Sequence, residues 1–145
     1  MKLHILGLLT PKRRVGNLGE RAAEKFLRKK GYRIRRRNYE AAGHEIDLIA
    51  ETKEVRVFVE VKTRTAGRLS PKEARPASAV TKEKQRAIIS AAKYYAAFQE
   101  STKRMRFDVI EVYLRETARG HTVEKIDHLI GAFNGDTAYP KRAQR

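Results

Sequence analysis

"HEIDLIAETKEVRVFVEVKTR", His44 to Arg64, decides the fold. It reads as two short strands, residues 45–50 and 54–62, joined by a polar turn around Thr52 and Lys53, and therefore as a β-hairpin. Residues two apart share a face of a strand. Glu45, Asp47 and Ile49 then point one way, and Ile46, Leu48 and Ala50 the other. On the second strand Phe58, Glu60 and Lys62 share a face opposite Val55, Val57, Val59 and Val61. One side of the hairpin is expected to be apolar core and the other to carry the charges.

Antiparallel pairing can bring Asp47 and Glu60 together. Two neighbouring carboxylates repel, and each raises the pKa of the other. A divalent cation relieves that penalty. Mg²⁺ or Mn²⁺ takes hard oxygen ligands, and Mg²⁺ commonly uses one or two carboxylates plus phosphate and water. Asp47 and Glu60 are thus candidate metal ligands, with the carbonyl of Val61 as a further one. Lys62 is a candidate for the attacking water or the phosphate, where its charge offsets charge developing in the transition state. Alternating charges on a hairpin also describe the wet face of a sheet, paired across strands. Glu45 alone reads as solvated or paired to a lysine.

Upstream, Leu18, Ala22, Ala23, Phe26 and Leu27 recur at helical spacing between Gly16 and Lys30, and Gly31 supplies the stop. On a helical wheel with Leu18 at 0°, Leu27 falls at about 180° and Glu20 at about 200°. Glu20 borders the apolar stripe, within reach of the metal directly or through water. Glu24 looks like a solvated partner for a lysine. In "YRIRRRNY", residues 32–39, Tyr32 and Ile34 face the core as a strand, and Arg33, Arg35 and Arg37 the other side.

Downstream, residues 63–80 hold Gly67, Pro71 and Pro76 and read as a loop. Thr81 caps a second helix to about Gln99, with Ile88, Ala91, Ala92, Tyr95 and Phe98 on its apolar face. Residues 106–114 make a fourth strand and 121–130 a fifth, or an edge strand. Asp108 reads as structural, and the scattered histidines suggest no zinc site. Residues 1–15 are an arm ended by Pro11, 16–133 the domain, and 134–145 a basic tail. The order α-β-β-β-α-β-β predicts an α/β fold, a mixed sheet with helices packed on it.

The chain has 145 residues, enough for one core, and a formal net charge of +16. Such an excess calls for a polyanionic partner, with nucleic acid favoured. Without cysteine there is neither a disulfide framework nor a thiolate metal site, which fits the cytoplasm. No apolar run approaches the roughly 18 residues a membrane span needs, and "MKLHILGLLTPKRR" lacks the pattern of an export signal.

"GNLGERAAEKFLRKKGYRIRRRNY", "GHEIDLIA", "VFVEVKTR", "TKEKQRAIISAAKYY" and "RFDVI" together resemble the YraN-like family of small bacterial proteins. That family is grouped with archaeal Holliday-junction resolvases in the PD-(D/E)XK superfamily, and the resemblance spans about Gly16 to Phe133. It implies a restriction-endonuclease-like core and site residues Glu20, Asp47, Glu60 and Lys62, with Glu45 from the same block. Lys84 falls where the family also carries a lysine, placed to bind phosphate. The family usually has Gly-Gly-Glu where this chain has Gly43-His44-Glu45. The second glycine allows an unusual backbone angle, which histidine also tolerates.

The expected function is metal-dependent hydrolysis of DNA, branched or single-stranded, in repair or recombination. Arg33, Arg35, Arg37, Lys29, Lys30, Arg64 and Arg68 would form the basic track, and residues 65–76 a substrate-contacting loop. The alternative is a non-catalytic nucleic-acid-binding module that keeps the fold. Resolvases of similar fold are dimers, so a homodimer is an expectation too.

Overall fold

The computed structural model describes residues 11–65, 80–99 and 102–135, residues 11 and 12 by their backbone only. Helix α1 (Pro11–Lys29) begins five residues before the expected Gly16. Pro11 opens it instead of ending an arm, because proline's fixed φ suits the first helical position and its missing N–H would have no partner there. The helix stops in a Schellman motif: Gly31 N–H donates to the Arg28 carbonyl (3.0 Å) and Tyr32 N–H to that of Leu27 (3.0 Å). Gly31 takes the required positive φ, 93°.

Strands β1 (Arg33–Ala41), β2 (His44–Glu51) and β3 (Val55–Thr65) follow, then α2 (Lys82–Ala97), β4 (Arg104–Thr117) and β5 (Gly120–Phe133). The strands form one sheet in sequence order. Three of its pairings are antiparallel. Only β3–β4 is parallel, because α2 carries the chain back across the sheet. The expected α-β-β-β-α-β-β order holds, and β5 is an edge strand. The β1–β2 turn has positive φ at Ala42 and Gly43, as a two-residue type I′ turn requires. His44 itself needs no such angle.

Both faces of the sheet are apolar, not one. Under α1, Ala23 and Leu27 meet Leu48, Ala50, Val57, Val59, Ile110 and Val112. Under α2, Ile88, Ile89, Ala92 and Tyr95 meet Ile49, Phe58, Phe107 and Val109. The expected charged face is therefore core for most of its length, and its charges gather at one end. Ile46 packs with Ile49 and not with Leu48. Alternation breaks there, beside Asn38, whose φ of 47° is left-handed. Phe98, expected on the apolar face of α2, is 70% exposed just past the helix end.

Asp108 is structural, with more partners than backbone alone. It accepts two hydrogen bonds from Arg106 (both 2.8 Å), one from Gly131 N–H (3.0 Å) and one from His128 Nε2 (2.7 Å). An ionised Asp108 only accepts, so the His128 proton sits on Nε2 and Nδ1 faces Lys30 Nζ at 3.3 Å. The ring lies edge-on to Phe26 and Tyr32. This network ties the end of α1 to β4 and β5.

Candidate active site

The β2–β3 ladder runs as far as Leu48 and Val59. Asp47 and Glu60 are the next residue on each strand, where the two part. There the Asp47 side chain takes over the ladder's work: its Oδ2 accepts the Val61 N–H at 2.8 Å. Glu60 is 6% exposed. Burial, then the Glu60 charge, then Glu20 and Glu45 push the Asp47 carboxyl up to about 8, against the lowering effect of the Val61 hydrogen bond. Glu20 is also raised, by burial first and then by Glu45 and Glu60. All four acids singled out in the sequence thus lie within electrostatic reach of one another.

Gly19 explains how α1 delivers Glu20. A Cβ added there would lie 1.8 Å from Thr63 Oγ1 and 2.8 Å from its Cβ. Only glycine lets the helix lie this close to β3. Gly19→Ala is expected to push α1 off β3 and cost about 1–3 kcal/mol. A urea melt reads the loss.

Asn38 is the site residue that sequence reading missed. With its amide nitrogen turned toward the acids, it donates to Glu20 Oε2 (3.2 Å) and Glu45 Oε1 (3.0 Å). Asparagine tolerates the left-handed region, and that local conformer aims its side chain. The only sequence signal was an asparagine between Arg37 and Tyr39.

Two ammonium groups face one carboxylate oxygen. Lys62 Nζ is 3.5 Å and Lys84 Nζ 3.6 Å from Glu60 Oε1. Lys84 reaches it from the first turn of α2, whose N-cap Thr81 accepts the Lys84 N–H at 3.1 Å. Open depressions flank the acids. One, of about 190 Å³, is lined by Asn17, Glu20, Arg21, Arg37 and Asn38. The other, of about 460 Å³, lies between His44 and the start of α2.

The expected basic track is redrawn. A bulge between Ile34 and Arg36 breaks the alternation of β1. Arg35 pairs with Glu51 at 2.7 Å, and Arg37 turns to α1 and grips Glu24 with two hydrogen bonds. Glu24 is therefore an arginine partner, held also by Arg28 at 2.9 Å, and not a solvated lysine partner. The Arg37 hydrogen bond is the main cause of its lowered pKa, against burial and with the charges of Arg37 and Arg28. Arg64 is buried against Glu111 (3.5 Å), so it is not a surface contact for nucleic acid. Its strand runs on to Thr65, three residues into the expected loop. Arg33 is exposed. Arg68, most of the 65–76 loop, residues 1–10 of the arm and most of the tail lie outside the described residues.

Among the described residues no three acidic or histidine groups converge closely enough to form a protein cage for a cation. None of the described helices is long and apolar enough to cross a membrane.

Residues 19–112 match a family model described as Uncharacterised protein family UPF0102. A UPF0102 protein of Caldanaerobacter subterraneus is 43% identical over 123 residues, covering 84% of this chain and 96% of the relative. One from Chlorobium phaeobacteroides is 41% identical over 121 residues, covering 82% and 93%. One from Symbiobacterium thermophilum is 48% identical over 101 residues, covering 69% and 82%.

Proposed function

This chain belongs to the uncharacterised protein family UPF0102, of the PD-(D/E)XK superfamily, and from that premise we propose that it is a divalent-metal-dependent nuclease acting on DNA in repair or recombination. The observation that carries the reading is the burial of Asp47 among Glu20, Glu45 and Glu60, which drives its carboxyl up to about 8. A fold does not retain a repulsive, partly dehydrated acid cluster for stability. The donor set is all oxygen, as Mg²⁺ or Mn²⁺ prefers. Two carboxylates with the Val61 carbonyl would leave room for phosphate and water.

When bound, the ion supplies Lewis-acid polarisation of the phosphodiester and acidifies water. Asp47 and Glu60 would hold it. Val61 N–H fixes one Asp47 oxygen and leaves the other to bind. Asn38 keeps Glu20 and Glu45 aimed at the site. Lys62 offsets charge developing on the phosphate, and Lys84 receives a neighbouring phosphate. A cytoplasmic setting accords with this reading.

The two lysines hold Glu60 in competition with the cation. Lys84→Ala is expected to tighten Mn²⁺ binding several-fold, by removing a like charge about 4 Å from a ligand oxygen, while weakening DNA binding. Electron paramagnetic resonance of free Mn²⁺ and a DNA anisotropy titration read the two effects.

The reading itself is tested by incubating labelled duplex, single strand, flap, four-way junction and RNA with Mg²⁺, Mn²⁺ or chelator. Cutting that needs metal and disappears in Asp47→Ala and Lys62→Ala supports it. Binding without cutting in every condition replaces it with the non-catalytic binder.

A further inference from the structure

The bulge in β1 has a second effect. It sets Arg36, which the strand pattern had passed over, opposite Ile49, a residue of the core under α2. Arg36 therefore lies on the α2 side of the sheet, is exposed, and forms no ion pair among the described residues. Tyr39 follows it on β1 and packs edge-on to Tyr95 at 5.1 Å. Burial raises the Tyr39 phenol pKa most, then Tyr94 and Tyr95, while the Arg36 charge opposes them, so all three lie within electrostatic reach of Tyr39.

Next to this lie the two exposed aromatic side chains of α2 and its cap. Tyr94 is 52% and Phe98 70% exposed, with ring centroids 5.1 Å apart and planes tilted 58°. On a helical wheel with Lys84 at 0°, Tyr94 falls at about 280° and Phe98 at about 320°. The three share one edge of the helix. At 1.5 Å per residue, that edge runs about 21 Å from the carboxylate site to Phe98.

We infer that this edge is a platform for single-stranded nucleic acid, with unpaired bases stacked on Tyr94 and Phe98, backbone phosphate on Arg36, and the strand continuing to Lys84 at the acid cluster. The inference rests on the proposed nuclease reading and narrows its substrate to DNA with a single-stranded segment. Charge decides the occupant. A second copy would bring another exposed Arg36 and another strongly basic chain, +16 in all, against the same surface, whereas a polyanion complements it. Single-strand binding combines cations that track the backbone with aromatic rings that stack bases. A duplex keeps its base faces covered and offers such rings nothing. At about 3.4 Å per nucleotide, a strand needs roughly six nucleotides to span the platform and reach the site.

The test is an anisotropy titration in chelator, so that nothing is cut, using labelled dT4, dT12 and a 12-base-pair duplex. Tyr94→Ala/Phe98→Ala and Arg36→Ala are compared with the unchanged chain, and their melting temperatures and sedimentation are recorded. The expected result is a dT12 affinity about 10- to 100-fold lower in the double variant, with duplex affinity within about twofold. The unchanged chain should prefer dT12 to dT4 by more than the ratio of their lengths. Unaltered dT12 binding, or an equal loss on duplex, overturns the platform alone. A double variant that sediments as a smaller species than the unchanged chain assigns the patch to a second copy and also overturns it. If the unchanged chain binds none of the three, the nuclease reading fails as well.

Discussion

Asp47→Asn is expected to make the protein more stable and inactive. Asparagine keeps an oxygen for the Val61 N–H but removes the charge that burial and Glu60 penalise. The pH dependence identifies the cause. The Asp47 carboxyl sits near 3.8 when unfolded and is pushed up to about 8 in the fold. Between those values the native state binds more protons than the unfolded state, so this residue's contribution to stability falls as pH rises. Below about pH 4 both states are protonated and the contribution vanishes. Above about 8 both are ionised and the full penalty remains.

The stability difference between variant and unchanged chain should therefore grow from near zero at pH 4 to about 2–4 kcal/mol by pH 9. That is roughly 6–12 °C in melting temperature for a chain of this size. Cleavage should fall about 10³-fold or more, since an ion ligand accounts for several kcal/mol of barrier. Millimolar Mg²⁺ should raise the melting temperature of the unchanged chain and leave that of the variant unmoved. Melting curves at several pH values, with and without Mg²⁺, read all of this.

The same substitution class has the opposite sign at Asp108. Asp108→Ala is expected to cost about 3–5 kcal/mol, a large share of the roughly 5–15 kcal/mol that holds a domain together. It would leave the half-buried Arg106 guanidinium, His128 and the Gly131 N–H without their acceptor. Burial alone would raise the Asp108 pKa, but hydrogen bonds from His128, Arg106 and Gly131 hold it below the ordinary value. Its stabilisation is therefore present at neutral pH and lost as pH falls through the carboxylate range. A urea titration should show the midpoint lowered by about 2 M, at a slope near 2 kcal/mol per molar. The two aspartates differ chiefly in their neighbours: Asp108 has Arg106, His128 and the Gly131 N–H around it, and Asp47 has the single Val61 N–H and three other acids.

The contrast also shows what the sequence could and could not convey. The order of elements was legible because periodicity is a local property: the valines of β3 alternate, and Leu18, Ala22 and Leu27 recur at helical spacing. The nearness of Asp47 to Glu60 followed from the hairpin, although the ladder itself ends one residue short, at Leu48 and Val59. Three backbone events were not legible. The bulge at Arg35 reversed the facing of the arginines after it. The left-handed Asn38 moved Ile46 to the other core and created an unforeseen bridge between Glu20 and Glu45. Pro11 read as a stop although proline equally opens a helix. A carboxylate's meaning was open for a related reason. Glu24 and Glu20 lie one helical turn apart, and only the fold brings Arg37 to the first and Glu45 to the second.

Asp47 and Glu60 are proposed to hold a divalent cation against a phosphodiester. Crystals grown with Mn²⁺ and an uncleavable phosphorothioate oligonucleotide test it most directly, with data collected at the manganese edge. An anomalous peak is expected about 2.1 Å from carboxylate oxygens of Asp47 and Glu60, in contact with a phosphate oxygen and absent from the Asp47→Asn protein. Oligonucleotide density with no peak between those two acids, or Mn²⁺ bound only elsewhere, would contradict it.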